Sequence, residues 1–170
     1  MGYIQYIAPS IPLGKIASNY NFDSNFTYDI CNYNDLEKNT IIIKSIDNCL
    51  PNWKTRPTVN TLDDRFSAGS FVMYQYYKDE LCGWFWLNTQ FTYDWINTKP
   101  IQPNSIYVGG LYKMLDKELP KHTALDFGNH VMKYGADNYD YLYAIIEDWN
   151  KASIQIFAPY SKFRTTEPFI

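Results

Sequence analysis

Glu147 and Asp148 close an apolar, tyrosine-rich run, YDYLYAII, and Asn150 follows two residues later. A carboxylate at the end of a buried strand can be raised in pKa by burial or can reach an ordered water, and either arrangement lets it act as a general base. Asn150 stands where the strand pattern gives way to helical spacing, with an amide able to hydrogen-bond an extended polar ligand. A second group, Lys117, Lys121, His122 and Thr123, precedes another segment of helical spacing. Cations and free backbone N–H groups at a helix start suit an anion such as a phosphate. Each set also has a plainer reading. Glu147 and Asp148 suit solvated strand-end residues, or acids that complement the dipole of a helix beginning at Asn150. His122 suits the anion loop, whereas His130 is expected on an exposed helix face.

Other chemistries are excluded by what the chain lacks. It contains no HExxH, GxSxG, P-loop or GxGxxG pattern, and Gly109-Gly110 is too short to be a phosphate motif by itself. Cys31, Cys49 and Cys82 are odd in number, widely spaced and without a CxxC, which suggests neither a disulfide framework nor a metal site and fits a reducing, cytoplasmic setting. Fifteen basic and 18 acidic residues give a net charge of −3 with no basic run longer than a pair, so neither nucleic acid nor an anionic membrane is an expected partner. The opening MGYIQYIAPSIPL lacks a basic leader and a continuous apolar core, Tyr6 stands where N-myristoylation needs Ser or Thr, and no later run approaches a membrane span. Asn25-Phe26-Thr27 matches a glycosylation acceptor of the kind that arises by chance in an Asn-rich chain.

These residues must be positioned by a sheet. Aromatics form 18% of the chain, with 16 Tyr and 5 Trp, and most lie in strand-like runs, which favours β-formers over stacking platforms for bases or sugars. At 170 residues the length suits one domain with a real core. Residues 1–39 read as an irregular N-terminal extension with one short strand near Phe26 to Cys31. Thr40 to Ile46, TIIIKSI, is β-branched and predicts a strand. The segment from Asp47 to Gly69, broken by Pro51 and Pro57, reads as loop with one or two short helices. Ser70 to Tyr77, a turn at Lys78 to Glu80, and Leu81 to Thr92 predict a hairpin with Trp84 and Trp86 in the core, while Trp95 could shape an acceptor pocket. Ser105 to Met114 predicts a strand with a bulge or close approach at Gly109-Gly110. Thr123 is placed as cap of a helix that Gly135 ends. Tyr141 to Asp148 predicts a buried strand, and Tyr160 to Ile170 a last one.

This order, with RFSAGSFVMYQYYKDELCGWFW at its centre, resembles that of the GCN5-related N-acetyltransferases (GNAT) over roughly Ile41 to Phe163. The resemblance implies an α+β fold with a mixed, mostly antiparallel central sheet flanked by helices, a GNAT-like core over 40–163, and splayed fourth and fifth strands, here Ile106–Met114 and Tyr141–Asp148. It implies acetyl-CoA or another acyl-CoA as cosubstrate and no metal. The pantetheine arm would lie against Leu111, Tyr112, Lys113 and Met114, and Asn150, Ser153 and Phe157 would occupy the family's positions after the fifth strand. The phosphates would meet Lys121, His122, Thr123 and Ala124. The family's glycine-rich phosphate loop keeps only its terminal Ala in Leu119 to Ala124, and Phe157 stands where the family has a tyrosine, which transfers the role of protonating the departing thiolate to Tyr160. Glu147 would be the base. The implied acceptor is a primary amine on a small molecule or peptide, and a homodimer is compatible with the fold. The alternative is a catalytically degenerate GNAT-like fold acting as a binding or assembly module.

Overall fold

The computed structural model describes residues 3–35, 37–38, 40–41, 44, 70–88, 103–113, 118–147, 149–151 and 154. The elements, in chain order, are β1 (Tyr3–Pro9), α1 (Ser10–Ser18), β2 (Phe26–Cys31), a 3-10 turn (Tyr33–Asp35), β3 (Phe71–Tyr77), β4 (Glu80–Asn88), β5 (Ser105–Lys113), α2 (Thr123–Asn138) and β6 (Tyr141–Glu147). Strand order is β1-β6-β5-β4-β3-β2, a mixed sheet in which the pairs β1/β6, β2/β3 and β3/β4 are antiparallel and β5/β6 is parallel. The fold is α+β. The chain forms two compact units, one holding Met1–Asp23, Phe91–Gly109 and Lys121–Ile170, the other Ser24–Gln90 and Gly110–Pro120; β5 contributes residues to both.

In the first unit β6 is buried along Leu142, Tyr143, Ala144 and Ile146, and β5 along Ile106, Tyr107 and Val108. Consecutive burial without alternation is what a strand covered on both faces requires, and it explains the near-continuous apolar text of both segments. β1 pairs with β6 over its whole length, from Tyr3↔Glu147 to Pro9↔Tyr141. Helices α1 and α2 pack closely: a Cβ added at Gly14 would stand 3.0 Å from the Ala136 Cβ. Helix α2 in turn lies against β6, since a Cβ on Gly135 would fall 2.5 Å from the Leu142 Cδ2. Gly135 therefore does not end the helix, as its type suggests. It lies inside it, and the helix runs to Asn138, with the Tyr139 N–H donating to the Gly135 carbonyl at 2.8 Å.

In the second unit β3 and β4 form the predicted hairpin. Its two-residue turn, Lys78-Asp79, has φ of 48° and 67°, the left-handed pair that matches the twist of the strands. The register slips between Gln75 and Tyr76, so that Gln75 faces Gly83 and Tyr76 faces Leu81, leaving Cys82 as the extra residue of a bulge. Trp84 and Trp86 are both buried, together with Val72, Met73, Tyr74, Phe85 and Leu87, as the sequence predicts. Cys31 and Cys82 are buried free thiols; burial and the nearby Asp29 carboxylate push the Cys31 thiol up to about 11.

Two segment assignments also fail. Within residues 1–39, read as an irregular extension, lie the strand β1 and the helix α1 as well as the predicted β2. The Thr40 to Ile46 run, read as a strand, is helical at Thr40, Ile41 and Lys44. Ile41 is 61% exposed, so its β-branched side chain covers no core, and Lys38 on the same helical stretch bonds Asp29 of β2. Propensity is a weak force where a local start signal and tertiary contacts favour the other state. Here the turn is set by side chains: Asp35 Oδ2 accepts the Asn32 N–H and Asn32 Oδ1 accepts the Asn34 N–H. The expected elements between Asp47 and Gly69, Trp95, and the strand from Tyr160 lie outside the described residues. No described helix is long and apolar enough to cross a membrane.

Candidate active site

The geometry begins where the two parallel strands start. Asn104, with φ of 53°, donates from Nδ2 to Asp140 Oδ2 at 3.0 Å, and its carbonyl accepts the Asp140 N–H at 2.9 Å. This clamp brings β5 and β6 in side by side, and their ladder runs Ser105↔Tyr141, Ile106↔Leu142, Tyr107↔Tyr143. Among the described residues it extends no further, although β5 continues to Lys113 and β6 to Glu147. From Ala144 onward the edge of β6 opposite β1 carries no further rung among the described residues. Backbone in that state accepts an extended chain that carries amides.

Beyond β6 the chain turns at once. The Lys151 N–H donates to the Trp149 carbonyl at 2.9 Å, and the Ile154 N–H to the Asn150 carbonyl at 3.0 Å. Lys151 and Ile154 are helical, so Asn150 holds the N-cap position of a helix, its carbonyl accepting the first intrahelical bond. The strand–Asn–helix order read from Tyr139 onward is present. Glu147 is the last residue of β6; Asp148 lies outside the described residues, and Trp149, 57% exposed, precedes Asn150. Of the residues implied for the pantetheine arm, Leu111, Tyr112 and Lys113 form the end of β5. Met114, Ser153, Phe157 and Tyr160 lie outside the described residues.

The start of α2 differs from the expectation. Its N-cap is His122, not Thr123; Thr123 is the first helical residue and is 1% exposed. His122 has φ −86° and ψ 3° and makes no side-chain cap, because its ring is engaged elsewhere: Nε2 lies 2.9 Å from Asp23 Oδ2. The Asp23 N–H in turn donates to Asp126 Oδ2 at 3.0 Å, and Asp126, in the first turn of α2, is fully buried. Lys121 is exposed and Ala124 half-buried. Thus two of the four residues expected to meet phosphate, Lys121 and His122, present exposed side chains, and Thr123 could contribute only through its backbone. Sequence reasoning missed Asp23 and Asp126. The second carried a signal, an acid in the first turn of a predicted helix; Asp23, in the NFDSN stretch, carried none.

The segment before Asp23 adds an aromatic contact to α2. Tyr20 and Phe22 meet edge to face at 5.0 Å, and Phe22 meets the His130 ring edge to face at 5.9 Å. Burial raises the Tyr20 hydroxyl above its ordinary value, and the Asp126 and Asp23 carboxylates add to that. His130 is therefore half-buried rather than on an exposed face. Burial lowers its imidazole below 6.5, with Asp126 pulling it back up and Lys133 lowering it further. The unfolded chain thus binds a proton at this residue more readily than the folded one. The stability tied to neutral His130 is complete above the ordinary value and is lost as pH falls through it toward the lowered folded value. We expect His130→Gln to flatten the decline of Tm between about pH 7 and pH 5 relative to wild type, measured by thermal melts across that range. An unchanged slope would place the acid sensitivity elsewhere.

Among the described residues no three His, Cys, Asp or Glu side chains are grouped to hold a metal ion.

No family model matches the chain, and no curated protein does. Solved structures do. A putative acetyltransferase of the GNAT family from Novosphingobium aromaticivorans aligns with a TM-score of 0.59 at 10% identity, covering 99% of this chain and 61% of that one, so the chain spans about three fifths of that protein's length. An aminoglycoside acetyltransferase from an uncultured soil metagenomic sample, crystallised with trehalose, aligns at 0.53 and 11% identity over 82% of this chain and 90% of that one. AAC(6')-Iy, in complex with the bisubstrate analogue CoA-S-monomethyl-acetylneamine, aligns at 0.53 and 13% identity over 85% and 94%.

Proposed function

Proceeding from the GNAT acetyltransferase fold that this chain carries, we propose that it is an acyl-CoA-dependent N-acyltransferase, moving acetyl from acetyl-CoA to a primary amine by direct attack. The observation that carries the reading is the short parallel ladder β5/β6, whose last rung is Tyr107↔Tyr143, with Asn150 at the head of the next helix. The pantetheine amides take the place of ladder partners on the β5 backbone at Leu111, Tyr112, Lys113 and Met114, and Asn150, Ser153 and Phe157 follow the arm. Lys121, His122 and the backbone of Thr123 and Ala124 face the phosphates. The amine nitrogen attacks the thioester carbonyl carbon, the C–S bond breaks, and Glu147 accepts the proton lost from nitrogen, directly or through water. Tyr160 protonates the departing thiolate, and backbone N–H groups in the Tyr112–Met114 stretch stabilise the oxyanion. The acceptor is an amine on a small molecule or peptide, and the buried free thiols Cys31 and Cys82 support a reducing, cytoplasmic setting.

One observation favours a second reading, a GNAT-like fold that has lost catalysis and serves as a binding or assembly module. The Asp23 and Asp126 carboxylates give the start of α2 the wrong sign for a phosphate seat. The two readings separate on one experiment. At a hundredfold excess over Kd, a ligand that binds only the folded state adds about 2.7 kcal/mol. Acetyl-CoA and CoA should therefore raise Tm by several degrees and give a saturable heat on titration. Neither a shift nor a heat would end the acyltransferase reading.

A further inference from the structure

The contacts between α2 and the segment Tyr20–Asp23 bear on the phosphate end of that same site, so their meaning for ligand binding rests on the acyl-CoA reading. Three contacts hold the segment to α2, and a fourth stiffens it from within. The Asp23 carboxylate pairs with the His122 ring at the N-cap, and the Asp23 N–H donates to buried Asp126 in the first turn. Phe22 packs edge to face on His130, two turns along the helix, and Tyr20 packs on Phe22. The last three contacts involve groups that are neutral or buried, and they anchor the segment. The first is of another kind: the Asp23–His122 pair is half-exposed, with side-chain accessibilities of 22% and 45%. It sets a carboxylate beside the positive end of a sixteen-residue helix, on a ring that a phosphate would otherwise use.

We infer that Asp23 is an internal competitor for the anion seat of α2, so that a ligand pyrophosphate must displace its carboxylate from His122 before it can bind. Charge alone has two effects here. The negative side chain repels an approaching pyrophosphate, and it withholds the His122 ring, one of the two exposed groups at that helix start able to carry positive charge. Removing the charge should relieve both penalties, and only for ligands that carry phosphates.

The test compares acetyl-CoA with S-acetylpantetheine, which has the thioester and amides but no pyrophosphate. Asp23→Asn and Asp23→Ala should each tighten acetyl-CoA binding by about fivefold to tenfold and leave S-acetylpantetheine unchanged, whereas Asp23→Glu, which keeps the charge, should bind both like wild type. The wild-type protein provides a second measurement. The chain has only two histidines, so an acetyl-CoA titration followed by NMR should move the His122 ring signals as the pair opens and leave those of His130 nearly still. Unchanged or weaker acetyl-CoA affinity in both the Asn and Ala variants overturns the inference while leaving the acyltransferase reading intact, as does a stationary His122 signal at saturation. An equal gain for both ligands also overturns it, because it marks a general loosening. Failure of every form to bind acetyl-CoA removes both readings together.

Discussion

Tyr160→Phe is expected to slow thioester turnover by about 10²–10⁴-fold while acetyl-CoA affinity stays within about threefold of wild type, because the substitution removes one proton donor and no bulk. In direct transfer the leaving thiolate must be protonated. Phe157, at the position where the resemblance implies a tyrosine, has no hydroxyl, and the proposed mechanism gives its role to Tyr160, the next phenol in the sequence. The assay is release of free thiol from acetyl-CoA in the presence of a panel of primary amines, run beside a binding titration. Glu147→Gln should lower kcat through the other proton, the one lost by the attacking nitrogen. Turnover unaffected by either change would remove these two residues from the mechanism, whereas absence of turnover in the wild type as well would favour the module reading.

The second large effect concerns stability. Trp86→Ala should destabilise the protein by about 3–5 kcal/mol. Trp86 is 1% exposed, opposite Val72 in the β3/β4 ladder, and Tyr74 and Trp84, two residues along on the same face, are fully buried as well. The hydrogen-bonded β3/β4 ladder fixes the backbone that carries Trp86 and its neighbours, which limits collapse of the walls into the hole, the condition under which a cavity costs most. Domains of this size have total stabilities of about 5–15 kcal/mol, so the variant should melt many degrees lower or remain largely unfolded. Trp86→Phe refills most of the volume and should retain the larger part of the stability. A loss under about 1 kcal/mol by denaturant unfolding for the alanine variant would contradict the packing described.

The sequence was most legible where local chemistry and tertiary role agree. The hairpin could be read because aromatic and β-branched runs flank a short polar turn, and the buried strands β5 and β6 because strands covered on both faces are apolar throughout. The strand–Asn–helix order was readable for the same reason: a strand period ends and a cap residue follows. Reading failed where the two levels pull apart. Helix α1 contains Pro12 and Gly14, two residues that argue against a helix, yet Pro12 lies in the first turn, where its missing N–H is no loss. Gly14 lies where a larger residue would press on Ala136. Both are explained by position, which a single chain does not reveal. The TIIIKSI run failed in the opposite sense, its β-branched content overridden by the turn ahead of it. In the candidate site, Asn150 and the strand ends were visible from pattern. The partner of His122 was not, because Asp23 and His122 are 99 residues apart and no periodicity links them.

The pairing of β1 with β6 has a consequence for how the molecule comes into being. The first strand finds its partner in residues 141–147, almost the full length of the described chain away. During synthesis β1 leaves the ribosome long before β6 exists, and for that interval it is an uncovered strand edge in a nascent chain. Helix α1 faces the same wait, since its packing partner α2 begins at Thr123. The hairpin β3/β4, by contrast, is complete as soon as it emerges. Contacts that join the two ends of a chain slow folding, because the closure entropy must be met before any pairing rewards it. The protein should therefore fold slowly, with the local hairpin formed early and the β1/β6 pairing last, and truncating the β6 segment should leave β1 an unpaired strand prone to aggregation and early proteolysis.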